Sequence, residues 1–129
     1  MKNPIGILIY GYGKEDAFSI RAALDRALEE SLFLVSGAGK EEWVVLDILD
    51  KGPEDIFEEK EDKLVIFLAF NQDQIDTALR GFPEQGIRRP IFCGLTMQNM
   101  HWKLNTLIEH LKEEHRLWTR QARNSQEEP

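Results

Sequence analysis

The Gly11-Tyr12-Gly13 turn is the first motif along the chain with a chemical reading. It follows an apolar run and precedes a helical pattern, as a phosphate-cradling loop does. The third glycine of a G-x-G-x-x-G fingerprint is replaced by Asp16, beside Glu15. Two carboxylates at a helix N-terminus compete with phosphate for the same dipole, so the motif reads as a tight turn. Asp47 stands 34 residues after Gly13, farther than the spacing of about 20 that suits a ribose-binding acid. Gly37-Ala38-Gly39-Lys40 lacks the spaced first glycine and the hydroxyl residue of a P-loop. An acceptor for aspartyl phosphotransfer at the end of the third strand is absent, because Asn71 stands there. Cys93 lies in an apolar run and reads as a buried, unreactive thiol, with His101 eight residues on. His110 and His115 are separated by five positions, roughly 140° around a helix, which does not suit a metal pair. No catalytic residue, metal set or cofactor is therefore assigned.

One connection combines several recognition groups. Thr96-Met97-Gln98-Asn99-Met100-His101-Trp102 follows a strand and offers a hydroxyl, two amides, an imidazole and an indole. Open α/β sheets bind ligands at the C-terminal ends of their strands. Tyr12 and Asn71 are expected to end neighbouring strands on the same edge. The candidate ligand-binding set is thus Tyr12, Asn71, Thr96, Asn99 and His101. The competing employment is structural: Asn99 satisfies loop backbone and Trp102 staples the last helix to the sheet.

The elements that position these groups follow from apolar patterning. Ile5 to Tyr10 reads as a buried strand, and a helix over Glu15 to Glu30 follows, with Ala17, Ile20, Leu24, Ala27 and Leu28 on one face. Leu32 to Val35 is ambiguous, and Trp43 to Leu46 is the preferred second strand. Gly52-Pro53 opens a short acidic helix over Glu54 to Lys60. Leu64 to Phe70, seven apolar residues in a row, is the strongest strand signal and implies burial on both faces. Asn71 and Gln74 then have the spacing of a capping box for a helix over Gln72 to Gly81. Ile91 to Leu95 is the fourth strand, and Trp102 to Trp118 the last helix. This alternation predicts a small α/β fold with a mostly parallel four-stranded sheet, order 2-1-3-4, and helices on both faces. The alternative is a ferredoxin-like α+β sheet. A single domain is expected over residues 1–118, with a disordered tail over 119–129.

Composition sets outer limits. The chain has 129 residues, enough for one domain, with 16 basic and 23 acidic residues and a net charge of −7. That charge disfavours nucleic acid and anionic membrane surfaces. A single cysteine excludes an internal disulfide and fits a reducing cytoplasm. The longest apolar run is far shorter than the roughly 20 residues of a membrane span.

Residues from Leu64 to His115 also carry a family pattern. Its parts are Leu64-Val65-Ile66-Phe67, Phe70 before an acidic helix start, Ile75 and Leu79, and Gly86-Ile87-Arg88-Arg89-Pro90. They continue with Leu95-Thr96, Asn99, Trp102 and Leu107 to His115. In these, and in the N-terminal strand and helix, the chain resembles the bacterial domain of unknown function 3783 family over about nine tenths of its length. It departs from the family pattern at Met97 and Lys103, which affects the turn and cap of the last helix. The resemblance implies no activity. The expected function is that of a small acidic cytoplasmic binding or regulatory module for a protein or small ligand. Trp102 and Trp118 are its expected interaction surface, and a homodimer is one form of partner. The alternative is an enzyme acting on a small metabolite at the C-terminal edge of the sheet.

Overall fold

The computed structural model describes residues 4–127, with side chains described through Leu117. Strand β1 (Gly6–Tyr10) leads through helix α1 (Lys14–Leu28) to β2 (Phe33–Ser36). Helix α2 (Val45–Lys51) and an irregular segment precede β3 (Leu64–Leu68), helix α3 (Gln72–Gly81), β4 (Ile91–Gly94) and helix α4 (Leu104–Glu127). The sheet order is β2-β1-β3-β4.

Both faces of the sheet are covered, which is why β1 and β3 are apolar at every position. Ile7, Ile9, Val65 and Phe67 pack with Ile20 and Leu24 of α1 and Ala78 of α3 on one face. Leu8, Tyr10, Leu64 and Ile66 pack with Val45 and Ile48 of α2 and Leu104, Leu107 and Ile108 of α4 on the other. This two-sided arrangement replaces the ferredoxin-like alternative. Among the described residues no helix is long and apolar enough to cross a membrane.

The strand order agrees with the sequence reading, but one direction differs. β1 and β2 are parallel, β3 and β4 are parallel, and β1 and β3 are antiparallel, with Tyr10 opposite Leu64. The cause is the long connection after α2. It returns across the C-terminal end of β1, where the Lys60 N–H donates to the Gly11 carbonyl at 3.0 Å. β3 therefore starts at the edge where β1 ends.

Three local expectations are corrected. Trp43 to Leu46 is not a strand: Val44 makes an isolated antiparallel bridge to Lys103, and α2 begins at Val45. Leu32 to Val35 lies beside β1 instead, as β2 over Phe33–Ser36. Val45 and Ile48 are three apart and both buried, so helical spacing prevails over local β propensity. Glu54 to Lys60 is not a helix. A helix would stack the like charges Glu54 with Glu58 and Asp55 with Glu59 at i, i+4. The segment is held by tertiary contacts instead, including Ser36 Oγ to the Ile56 carbonyl, Lys14 to Asp55 at 2.7 Å and Lys40 to Glu54 at 2.7 Å. Helix α4 runs on to Glu127, beyond the expected end at Trp118.

The capping box is as expected. Asn71 Oδ1 accepts from the Gln74 N–H at 2.9 Å, and Gln74 Oε1 accepts from the Asn71 N–H at 2.8 Å. Two residues before that cap, Ala69 has φ +67. An L side chain in this left-handed region costs about 1–2 kcal/mol, partly offset by the extra unfolded-state entropy of glycine. Ala69→Gly is expected to raise the thermal midpoint, and calorimetry showing no rise or a fall would remove the strain argument.

Candidate functional site

The antiparallel β1–β3 pair separates the residues that the sequence reading groups together. Asn71, Thr96, Asn99, His101 and Trp102 follow the C-terminal ends of β3 and β4, whereas Tyr12 follows β1 at the opposite edge. The five residues of β3 alone put about 13 Å between those edges. Tyr12 therefore does not converge with the other four.

Most of these side chains are also consumed by the fold. The buried Tyr12 hydroxyl donates to the Arg88 carbonyl, and burial is the largest cause raising its phenol above the ordinary range. Asn71 is spent on the capping box. Asn99 Oδ1 accepts from the Thr96 N–H, Thr96 Oγ1 accepts from the Asn99 N–H, and Asn99 Nδ2 donates to the Gly94 carbonyl at 3.0 Å. Trp102 is half-buried, edge-on to His110 with ring centroids 4.9 Å apart. His101 alone of the five candidates is exposed with no hydrogen bond to its ring among the described residues. The Trp118 side chain lies outside the described residues.

A different cleft lies at the edge where β3 and β4 begin. It has a volume of about 160 Å³, and Leu64, Ile91, Ile108 and Leu111 form its apolar lining. Lys63, Arg88, Arg89 and Lys112 face Glu61 and Asp62 around it. Lys63 is neutralised by Glu59 and Lys112 by Asp62, so among the described residues the two arginines are the cations left without a carboxylate at the cleft.

Each wall has a structural cause. Tyr12 holds the Arg88 carbonyl and so fixes the lead into β4. The Lys63 ammonium donates to Gly11 O at 2.8 Å, to Lys60 O and to Glu59, which fixes the segment before β3. That contact with Lys63 is the first cause holding the Glu59 carboxyl below its ordinary value. Lys112 reaches from α4 to Asp62 at 3.3 Å, and this bond is the main cause raising the lysine above its ordinary value. Arg89 lies over the rings of Phe92 and Phe82, at 5.1 and 5.7 Å. The Arg88 guanidinium has no ion-pair or hydrogen-bond partner among the described residues. The cleft continues through Ile91 and Lys112 into a shallower groove of about 430 Å³ along α4.

Charge patterning does not point to this place, because a short acidic helix over Glu54 to Lys60 predicts no basic neighbours for Glu61 and Asp62. A signal was nevertheless present. Residues 85–108 contain no Asp or Glu in a chain with 23 of them, and Arg88-Arg89-Pro90 stands inside that gap.

Cys93, on β4, lies outside the cleft lining. Burial pushes its thiol up to about 12. A thiol raised in the folded state stays neutral there while the unfolded chain ionises, so stability is full below the unfolded value near 9 and falls as pH rises towards 12. Tyr10 and Tyr12, both raised chiefly by burial, extend the loss above pH 10. Denaturant titrations at rising pH are expected to show the decline starting near pH 9, and Cys93→Ala is expected to delay it. An unchanged onset in the variant would contradict the assignment.

Among the described residues, no group of three or more His, Cys, Asp or Glu is arranged to hold a metal ion. No curated protein and no solved structure matches the chain. Residues 63–117, from just before β3 well into α4, match the family model described as Domain of unknown function (DUF3783), so the likeness is to that segment and does not extend to the N-terminal strand and helix.

Proposed function

We propose that this protein is a binding module whose ligand site is the basic cleft at the start of β3 and β4. The ligand presents a carboxylate to Arg88, with Arg89 adjacent, and an apolar group to the lining. The observation that carries this reading is the cleft's composition: the unpaired Arg88 at the rim of four apolar side chains, with Arg89 next to it turned toward Phe92, Phe82 and the Leu79 carbonyl, in a chain of net charge −7. A charge-assisted hydrogen bond from a guanidinium to a carboxylate is about twice as strong as a neutral one, which makes the arginines selective for an anion. Asp62 is already paired with Lys112, so the groups left to act are suited to recognition. Eight of the ten lining residues fall within the family-matched segment.

The test uses 4-methylpentanoate, which joins a leucine-like body to a carboxylate, followed by amide shifts in nuclear magnetic resonance. Saturable shifts are expected at Leu64, at Arg88, Arg89 and Ile91, and at Ile108 and Leu111. Arg88→Ala with Arg89→Ala is expected to weaken binding about tenfold, the equivalent of about 1.4 kcal/mol. The neutral analogue 4-methylpentanol is expected to bind as weakly to the native protein. Equal binding of acid and alcohol, or shifts that do not localise to the cleft, would refute this reading.

A further inference from the structure

The cleft sits at the start of an edge strand, and the two features together specify a ligand class. β4 has β3 on one side only. The Ile91 N–H donates to Lys63 O at 3.0 Å and the Leu95 N–H to Phe67 O at 3.2 Å. Strand alternation then turns the N–H and C=O of Phe92 and the N–H of Gly94 away from β3. Pro90 ends the donor row below Phe92, and the Asn99 amide occupies the Gly94 carbonyl above it. The outward edge is therefore stopped at both ends and open at its centre. Such an edge suits one short chain segment and blocks continuous sheet growth.

We infer that the ligand is the C-terminal end of a partner polypeptide, added as an antiparallel strand to β4. This rests on the reading of the cleft as a carboxylate site. Antiparallel pairing directs the added chain's C-terminus toward Pro90 and the arginines before it. The residue third from the end exchanges both backbone hydrogen bonds with Phe92. The last residue lies opposite Pro90, and its carboxylate reaches the unpaired Arg88, with Arg89 adding charge from the next position. The penultimate residue lies opposite Ile91, which lines the cleft, so its side chain enters the space between Ile91, Leu64, Ile108 and Leu111. That space, about 160 Å³, is sized for one side chain and lies below the roughly 300 Å³ at which small-molecule pockets begin. Glu61 and Asp62 close the far wall, so a chain that continued past Pro90 would meet carboxylates and the ordered segment before β3. A free terminus is therefore the carboxylate source that fits.

The probe is an acetylated hexapeptide, Lys-Val-Thr-Val-Leu-Val, with a free C-terminal carboxylate, studied with the full chain. Binding is expected with slowed hydrogen exchange at the Phe92 and Gly94 amides. Amidating the C-terminus, N-methylating the third residue from the end, or combining Arg88→Ala with Arg89→Ala is each expected to weaken it about tenfold or more. The arginines are exposed, so the double variant is expected to keep its fold. Equal affinity of the amidated peptide, or of an amidated peptide whose last residue is glutamate, would overturn the terminal assignment. If 4-methylpentanoate perturbs the cleft but the peptide leaves the Phe92 amide unprotected, strand addition is wrong and the carboxylate site stands. If neither probe binds, both readings fall. Sedimentation showing a dimer that protects the same two amides without peptide would overturn the inference in favour of a second copy.

Discussion

Gly11→Ala is expected to lower stability by about 3–5 kcal/mol, a large share of the roughly 5–15 kcal/mol available to a domain. Gly11 has φ +92, where an alanine carries about 1–2 kcal/mol of strain. A Cβ built there lies 2.0 Å from the Asp62 carbonyl oxygen, a backbone atom that cannot rotate aside. Relieving that overlap moves the chain before β3, at a cost comparable to core overpacking, about 1–3 kcal/mol. The movement also stretches the bonds that Gly11 O accepts from Lys60 N–H at 3.0 Å and Lys63 Nζ at 2.8 Å. Gly13→Ala is the control. Its added Cβ meets nothing within 4 Å and its φ is −68, so only the N-cap preference is lost, about 1 kcal/mol or less. Urea titrations of the two variants give the comparison. Equal losses would show that the close approach of Gly11 to Asp62 does not constrain the fold. Because Asp62 forms a wall of the cleft, whatever Gly11→Ala protein remains folded is also expected to bind 4-methylpentanoate more weakly.

The sheet was legible in the sequence to the extent that burial left a periodic trace. Ile7 to Tyr10 and Leu64 to Leu68 are unbroken because helices cover both faces. Asn71 and Gln74 announce α3 because a capping box is a local device needing only four residues. Trp43 to Leu46 reads as the second strand, ahead of the ambiguous Leu32 to Val35, because Val44-Val45-Leu46 favours a strand locally; in the fold Leu34 and Val35 gain more by pairing beside β1. The direction of β3 was not legible at all. It depends on where the segment over residues 52–63 crosses β1, and that path is set by single long-range bonds to Gly11, Ser36 and Lys14. The site followed the direction. With β3 read as parallel to β1, Tyr12 and Asn71 share an edge; with β3 reversed, Tyr12 buttresses Arg88 instead. The cleft is assembled from three distant pieces of chain, around Glu61, Arg88 and Lys112, so no spacing encodes it.

Lys63→Met is expected to cost about 2–4 kcal/mol, because hydrogen bonds from a charged group to buried acceptors are lost while its desolvation penalty is removed. The lysine side chain is only 5% exposed, and its ammonium satisfies Gly11 O, Lys60 O and the Glu59 carboxylate together. It also lies 5.1 Å from the Tyr12 ring centroid. Methionine fills similar space but donates nothing. Gly11 O keeps its bond from the Lys60 N–H, whereas Lys60 O loses its contact to the ammonium. Glu59 is mostly exposed, so Glu59→Gln is expected to be much milder at neutral pH. The two variants differ again in acid. The Glu59 carboxyl is held below its ordinary value, so its contribution is complete above about pH 4.5 and disappears as pH falls through the lowered folded value. That acid-labile component is expected in the native protein and absent from Glu59→Gln. It is also expected to be reduced in Lys63→Met, where the ammonium that causes the shift is gone. A double-mutant cycle measured at pH 7 and pH 4 separates the pair's coupling from the two backbone bonds. Loss confined to the coupling would make Lys63 a counterion for Glu59. Loss that persists in the Glu59→Gln background would make it the clasp that holds the segment before β3 against Gly11. The geometry requires the second result, since two of its three acceptors are backbone carbonyls.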